Sequence, residues 1–196
     1  MSQHIDKARK VFNLEQWSDG YFDINDQGQL GFVAKEQFFI LDTIVKKAQS
    51  IGASLPLLLR FRPILIDRLE KIRKSFQHVS HQLGYCGDYL PVYPIKVNQQ
   101  VDVLETIANY SHVGLEVGSK PELLVVLAHA KPGQLIICNG YKDRQFIELA
   151  GLACELGHEI YVVIEKPSEA QIIHQLQVQG KPLPKLGVRV RLSQVG

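Results

Sequence analysis

The chain has 196 residues, of which 45% are hydrophobic and 21% are charged, and its formal net charge is +2. This composition is ordinary for a globular protein with one sizeable core. The small positive balance is spread along the chain, so it gives no argument for nucleic acid as a partner.

The cysteine pattern and the polar start of the chain indicate a reducing compartment. Cys86, Cys138 and Cys154 are odd in number and show no C-x-x-C spacing, so we expect reduced thiols. Residues 1–7 lack the apolar core of a secretory signal. No apolar run approaches the ~20 residues that a membrane span needs. We therefore predict a cytoplasmic protein with no membrane partner.

Residues 1–54 are predicted to form an N-terminal segment. Tyr21–Ile24 and Leu30–Val33 flank a turn at Asn25–Gly28, which indicates a β-hairpin. A helix is predicted over Leu41–Ile51. No side chain in this segment points to chemistry.

Residues 55–88 are predicted to be a strand and an amphipathic helix that lead into the next domain. Leu55–Phe61 is a compact apolar run typical of a strand, and Arg62-Pro63 is typical of a helix start. The helix is expected to end at Gly84. Its apolar residues form one stripe at alternating steps of four and three, made of Leu65, Leu69, Ile72, Phe76, Val79 and Leu83.

From Tyr89 onward, strands and helices are predicted to alternate about every 22–25 residues, which is the βαβ pattern of a parallel sheet. The predicted strands are Tyr89–Ile95, Val113–Val117, Leu135–Cys138, Ile160–Glu165 and Leu186–Leu192. The predicted helices are Val101–Tyr110, Ser119–Ala130, Asp143–Leu156 and Ala170–Gln179. Capping signals at Ser119-Lys-Pro-Glu122 and Ser168-Glu-Ala-Gln171 support the second and fourth helices.

The predicted fold class is α/β with a parallel sheet, and its architecture stays open at this point. About five strands of the repeat are visible, whereas a closed (β/α) barrel needs eight. The pattern fits an interrupted barrel or an open doubly wound sheet. No G-x-G-x-x-G or G-x-x-x-x-G-K motif follows the first strand, which weakens a nucleotide-binding sheet.

Polar residues are predicted to gather where the parallel strands end. Right-handed crossovers place these ends on one side, so the following residues would share a rim: Lys96, Glu116, Asn139, Glu165 and Arg189. Among apolar neighbours, desolvation would favour a neutral Lys96 amine. Such an amine is what Schiff-base formation with an aldehyde cofactor requires. The simpler interpretation is a strand-end lysine that extends into solvent.

Five segments, in this order, resemble the biosynthetic arginine decarboxylases. They are Tyr93–Gln99, Gly114–Lys120, Cys138–Asp143, Val163–Lys166 and Leu186–Leu192. The resemblance extends from Trp17 to Leu192. It implies an alanine-racemase-like enzyme dependent on pyridoxal 5'-phosphate, with residues 89–196 as the N-terminal part of its TIM-type (β/α) barrel. About the first five β/α units of that barrel would be present.

The resemblance also implies roles for the rim residues. Lys96 matches the lysine that forms a Schiff base with the cofactor. Glu116 and Arg189 match an acidic residue and an arginine near the cofactor ring, and we expect them to pair with one another. A rim salt bridge with no catalytic part is the alternative for both. Asn139 and Lys142, on the next loop, would help to shape the cofactor pocket.

The implied reaction is decarboxylation of L-arginine to agmatine and carbon dioxide, in polyamine (putrescine and spermidine) biosynthesis. The resemblance alone adds magnesium, and a homo-oligomer of the full-length enzyme. The residues themselves predict no metal site, because His78 and His81 lie off the apolar stripe with no third ligand nearby.

Three other functions stay open on the sequence. The first is another enzyme of the same barrel class, acting on ornithine, diaminopimelate or alanine. The sequence of residues 93–99 and the long segment before it favour arginine instead. The second is a pyridoxal-phosphate-binding module without turnover, which would need a phosphate loop that we do not find. The third is a structural or regulatory fragment that pairs with full-length subunits.

Family members are much longer, and several parts of their site are not found here. The missing parts are the ring-stacking histidine, the phosphate-binding glycine loop and arginine, the acid beside the pyridine nitrogen, and the β domain with its cysteine and aspartate. We therefore expect an N-terminal fragment that is inactive alone.

We predict that the purified chain, incubated with pyridoxal phosphate and carboxyl-labelled arginine, releases no labelled carbon dioxide. The reason is that a phosphate cradle supplies much of the anchoring of this cofactor. Trapping the released gas measures the outcome, and robust release would contradict the expectation.

Overall fold

A computed structural model describes residues 2–190 of the chain. It divides into two compact units, the first ending at Ile64 and the second beginning at Leu65. The candidate chemistry lies in the second unit. The end of the predicted strand Leu186–Leu192, and residues 191–196 as a whole, lie outside the described residues.

The first unit contains helices and a three-stranded antiparallel sheet. Its elements are α1 (Ser2–Val11), α2 (Leu14–Ser18), β1 (Phe22–Ile24), β2 (Leu30–Ala34), β3 (Gln37–Ile40) and α3 (Leu41–Ser50). The predicted hairpin is confirmed as β1 and β2, with Phe22 opposite Phe32, and the predicted helix is confirmed as α3. The sequence did not predict α1, α2 and β3.

The strand predicted over Leu55–Phe61 is wrong, because these residues form irregular chain. A strand needs a hydrogen-bonding neighbour, and no strand within residues 2–190 pairs with this segment. Leu55 and Leu58 are exposed. Phe61 instead packs its ring against Phe32 at a centroid distance of 4.3 Å.

A parallel sheet forms the centre of the second unit. Its strands are β4 (Val92–Pro94), β5 (Gly114–Val117), β6 (Leu135–Cys138), β7 (Glu159–Ile164) and β8 (Lys185–Val188). The connecting helices are α5 (Val101–Ala108), α6 (Lys120–His129), α7 (Arg144–Glu155) and α8 (Pro167–Val178). The predicted alternation of strands and helices is therefore confirmed.

The strands lie side by side in chain order, β4-β5-β6-β7-β8, and every neighbouring pair is parallel. This order has no reversal of the kind that defines a doubly wound sheet. Burial alternates along the strands, as a sheet covered on one face requires. The buried strand residues join apolar residues of α5, α6 and α7 in one core, whose largest members include Leu115, Ile136 and Ile160.

The loops at the carboxyl edge of the sheet end at the capping residues of the helices that follow them. Ser119 caps α6, since its Oγ accepts a hydrogen bond from the Glu122 N–H at 3.4 Å. The cap predicted at Ser168 is wrong: Lys166 is the capping residue of α8. Pro167 explains the earlier start, because its fixed φ and missing N–H suit the first helical position.

The long helix α4 (Arg62–Gln82) is confirmed, and Gly84 follows it with φ +64°. Its apolar stripe is divided along its length. Leu65 and Leu69 pack against the core, whereas Ile72, Phe76, Val79 and Leu83 are exposed. Neither α4 nor any other helix within residues 2–190 is long and apolar enough to cross a membrane.

We predict that Gly151→Ala destabilises the chain. A Cβ at Gly151 on α7 would lie 2.1 Å from the backbone oxygen of Pro182. This clash outweighs the ~1 kcal/mol by which alanine is the better helix former. The free energy of unfolding, measured with denaturant, should fall by about 1–3 kcal/mol.

Gly187→Ala in β8 is the matched control, because its Cβ would meet neighbours only at 3.4 Å or more. It should change the free energy of unfolding much less. A Gly151→Ala chain as stable as the original would contradict the close packing of α7 against the Pro182 loop.

Candidate active site

Lys96 lies in a 3-10 turn, Ile95–Val97, directly after β4. The strand ends at Pro94, one residue earlier than predicted, so Lys96 lies two residues beyond its end. The side chain of Lys96 is 67% exposed. The expectation of a desolvated amine is therefore wrong, because the turn buries Ile95 completely and directs Lys96 to solvent.

Two hydrogen bonds hold the turn that carries Lys96. The Tyr93 hydroxyl donates to the Asn98 carbonyl oxygen at 3.2 Å, and the Gln100 N–H donates to Asn98 Oδ1 at 2.9 Å. Burial raises the pKa of Tyr93, against the opposing effect of its bond to Asn98. Both bonds converge on Asn98, the residue that follows the turn, while the amine stays accessible.

Glu116, on β5, is the neighbour of the Lys96 amine. Its Oε1 lies 3.6 Å from Lys96 Nζ. The parallel register explains the contact, since Pro94 pairs with Glu116 across β4 and β5. The pair brings a carboxylate and a primary amine together at the carboxyl edge of the sheet, where α/β proteins place their ligands.

Arg189 has a different partner from the one predicted. Its Nε lies 3.7 Å from Glu165 Oε1, and its backbone N–H donates to the Ile164 carbonyl at 3.0 Å. The expected pairing of Glu116 with Arg189 is wrong. Between β5 and β8 lie β6 and β7, which separate the two strands by roughly 14 Å at ~4.8 Å for each step.

Asn139 follows β6, and its backbone N–H donates to the Val117 carbonyl at 2.8 Å. The next residue, Gly140, donates its N–H to Glu165 Oε1 at 2.7 Å. The rim therefore consists of two groups: Lys96 with Glu116 at one end, and Glu165 with Gly140 and Arg189 at the other.

Lys142 is fully buried behind this rim. Its amine donates to the Gly140 carbonyl oxygen and lies 3.8 Å from Glu169 Oε2. Desolvation lowers the pKa of Lys142, although the carboxylates of Glu169 and Glu165 act in the opposite direction. Its ammonium group is hidden from any ligand on the open surface.

Glu169 is a site residue that the sequence reasoning missed. Its side chain is 1% exposed, and it accepts backbone hydrogen bonds from Lys142 at 2.9 Å and Glu165 at 2.8 Å. Desolvation opposes its charge, but these donors and the Lys142 amine lower the pKa of Glu169. The available signal was its place three residues after Lys166, the capping-box position of α8.

A cleft of about 440 Å³ lies at the starts of α6, α7 and α8. Its cations have partners: Lys120 Nζ lies 2.6 Å from Asp143 Oδ2, and Lys166 Nζ lies 3.5 Å from the centre of the Tyr141 ring. A larger cavity, of about 820 Å³, lies in the first unit. Lys96 lines neither of them, and its side chain is mostly exposed.

No metal centre is formed by the described residues. Within residues 2–190, no three His, Cys, Asp or Glu side chains lie close enough together to hold a metal ion.

The comparison with known proteins decides the family. Residues 69–195 match the family described as pyridoxal-dependent decarboxylase, pyridoxal binding domain. This chain belongs to the pyridoxal-dependent decarboxylases. The family resemblance expected from the sequence is confirmed.

Curated relatives carry a more specific name. The biosynthetic arginine decarboxylases of Xanthomonas campestris pv. campestris and Xylella fastidiosa (strain 9a5c) are 45% and 46% identical over 98% and 100% of this chain. The crystal structure of biosynthetic arginine decarboxylase from Campylobacter jejuni matches 92% of the chain with a TM-score of 0.84 and 34% identity. The chain spans about a third of the length of these proteins, between 31% and 32%.

We predict that alkylation distinguishes Cys138 from Cys86. Cys138 ends β6 directly beneath the rim, and burial raises the pKa of its thiol to about 12. Since the thiolate is the nucleophile, iodoacetamide at about pH 8 should modify the exposed Cys86 but not Cys138.

Peptide mass mapping measures the modification at each cysteine. Cys138 should react once the chain is unfolded in denaturant, which shows that the reagent is competent. Native-state modification of Cys138 as fast as that of Cys86 would contradict a closed core under the rim.

Proposed function

We propose that this chain supplies the cofactor-binding lysine of an enzyme that decarboxylates L-arginine to agmatine and carbon dioxide. The observation that carries the proposal is the exposed Lys96 amine, 3.6 Å from Glu116 at the carboxyl edge of the sheet. Membership of the pyridoxal-dependent family supports the cofactor, and the names of the relatives support arginine as the substrate.

The proposal includes the architecture. The five parallel strands, in chain order with their helices on one face, are an arc of a TIM-type barrel. The likeness to the Campylobacter jejuni enzyme, with a TM-score of 0.84, supports this assignment. In such a barrel the carboxyl edge carries the active site, which agrees with the location of Lys96 and Glu116.

The fit of the cofactor is tested by the geometry of Lys96. A primary amine on open surface can be reached by an aldehyde without displacing packed side chains. Pyridoxal phosphate, when bound, supplies an electron sink for the charge left by loss of carbon dioxide. The described residues therefore suit its aldehyde end.

Lys96 and its neighbours have separate tasks in this proposal. Glu116 holds the Lys96 ammonium in place electrostatically, and solvent takes the proton from Nζ when the amine becomes a nucleophile. Arg189 pairs with Glu165 through Nε, at 3.7 Å. Its remaining N–H groups can donate to an anionic oxygen of the cofactor or substrate. Asn139 shapes the rim between these two groups.

Other parts of the proposal rest on the resemblance and on the relatives. They are a role in polyamine biosynthesis, a cytoplasmic location, a homo-oligomer and a requirement for Mg²⁺. The name "biosynthetic" in the relatives supports the first of these.

Grafting tests the proposal directly. We predict that this chain, put in place of the matching third of the Xylella fastidiosa enzyme, restores release of carbon dioxide from carboxyl-labelled arginine. Lys96→Ala in the graft should reduce the rate by at least about 100-fold, since it removes the amine that binds the cofactor. Borohydride reduction followed by peptide mapping should find the cofactor on Lys96.

Lys185→Ala is the matched control, because Lys185 is also exposed and also pairs with a glutamate, Glu159, at 2.6 Å. It begins β8 and therefore lies at the opposite edge of the sheet. It should retain activity. A folded graft that binds the cofactor on another lysine would contradict the proposed function.

A further inference from the structure

A buried ion pair lies behind the rim, out of reach of the cofactor and substrate of the proposed function. The side chains of Lys142 and Glu169 are 0% and 1% exposed, with Nζ and Oε2 3.8 Å apart. Removing two charges from water is costly, and a buried pair of this kind is weak evidence for stability in itself. The role of the pair is therefore indicated by the backbone groups that it holds in place.

Glu169 joins the two loops that follow β6 and β7. Its carboxylate accepts the N–H of Lys142 in the first loop, at 2.9 Å. It also accepts the N–H groups of Glu165 and Lys166 in the second loop, at 2.8 Å and 3.4 Å. The Lys142 amine makes a further bond within the first loop, because it donates to the Gly140 carbonyl oxygen. One carboxylate and one amine thus fix both loops.

Glu165 connects the buried pair to the rim. Its backbone is bound to Glu169, while its side-chain Oε1 accepts the Gly140 N–H at 2.7 Å and lies 3.7 Å from Arg189 Nε. Gly140 is itself closely confined: its φ is +73°, and a Cβ there would lie 2.9 Å from the Gly118 carbonyl oxygen. The contacts therefore connect the ends of β5, β6, β7 and β8.

We propose that Lys142 and Glu169 are positioning residues that hold Glu165, and through it Arg189, where the cofactor binds. This inference rests on the proposed function. The buried pair acts without touching cofactor or substrate, because neither side chain is accessible from the rim. Supporting contacts of this kind set how accurately a site presents its groups.

Two variants separate the parts of this relay. Lys142→Met removes the buried cation while keeping a side chain of similar length. Glu165→Gln leaves the buried pair intact, keeps an acceptor for Gly140, and removes the charge that faces Arg189. If Lys142→Met does not fold, Glu169→Gln takes its place, because it removes a charge of the pair while keeping the shape of the side chain and one acceptor oxygen. Lys185→Met is the matched control, because it also removes a lysine that pairs with a glutamate, Glu159, but this pair is exposed at the opposite edge of the sheet.

The first measurement needs no cofactor. In the 196-residue chain, amide hydrogen exchange at Gly140 should accelerate by about tenfold or more in Lys142→Met, since its loop loses a support. The Nε–H resonance of Arg189 should shift in Lys142→Met and in Glu165→Gln. The control should leave both signals unchanged.

The second measurement is uptake of pyridoxal phosphate by the grafted enzyme carrying the same changes, followed by the absorbance of the lysine-bound aldehyde. Both variants should raise the Kd by roughly tenfold, and the control should not. Unmoved Gly140 and Arg189 signals would overturn the inference, and so would moved signals with unchanged uptake, which would make the pair purely structural. A graft with the original residues that takes up no cofactor would contradict the proposed function, whereas the Gly140 and Arg189 signals of the 196-residue chain would still decide whether the buried pair holds the rim.

Discussion

The parallel register of β4 to β8 is the constraint on which the rest of the second unit depends. Each crossover returns the chain to the same side, so all strands end at one edge. Side chains then alternate between two faces: Leu115, Ile136 and Ile160 are fully buried on the helix side, while Glu116 lies on the other. The same geometry that builds the core therefore gathers polar groups at the rim.

Neighbouring strands also determine which charges meet. Lys96 and Glu116 come from adjacent strand ends, as do Glu165 and Arg189. Lys142 and Glu169 form a third pair behind them, fully shielded from solvent. In each of these three pairs one carboxylate lies beside one cation. Lys96 is the exposed lysine of these three pairs.

Much of this was predictable, because periodicity and capping signals define regular elements well. The five parallel strands and their four helices follow from apolar runs and breakers, and the rim position of Glu116 and Asn139 follows from strand ends. Contacts between residues far apart in the chain could not be predicted from these local patterns. Three predictions were wrong: that Lys96 is desolvated, that Glu116 pairs with Arg189, and that Leu55–Phe61 is a strand. They depend on turn direction, strand order and pairing partners, which are not local properties of the sequence. Glu169 was missed because its role depends on two loops that meet only in space.

The central claim is that the Lys96 amine receives the aldehyde of pyridoxal phosphate. A crystal structure of the grafted Xylella fastidiosa enzyme with that cofactor tests it most directly, through the electron density at Lys96 Nζ. The account predicts continuous density from Nζ to the aldehyde carbon, on the side of the sheet that carries Glu116. Cofactor bound instead in the cleft at the starts of α6, α7 and α8, or joined to Lys120 there, would contradict it.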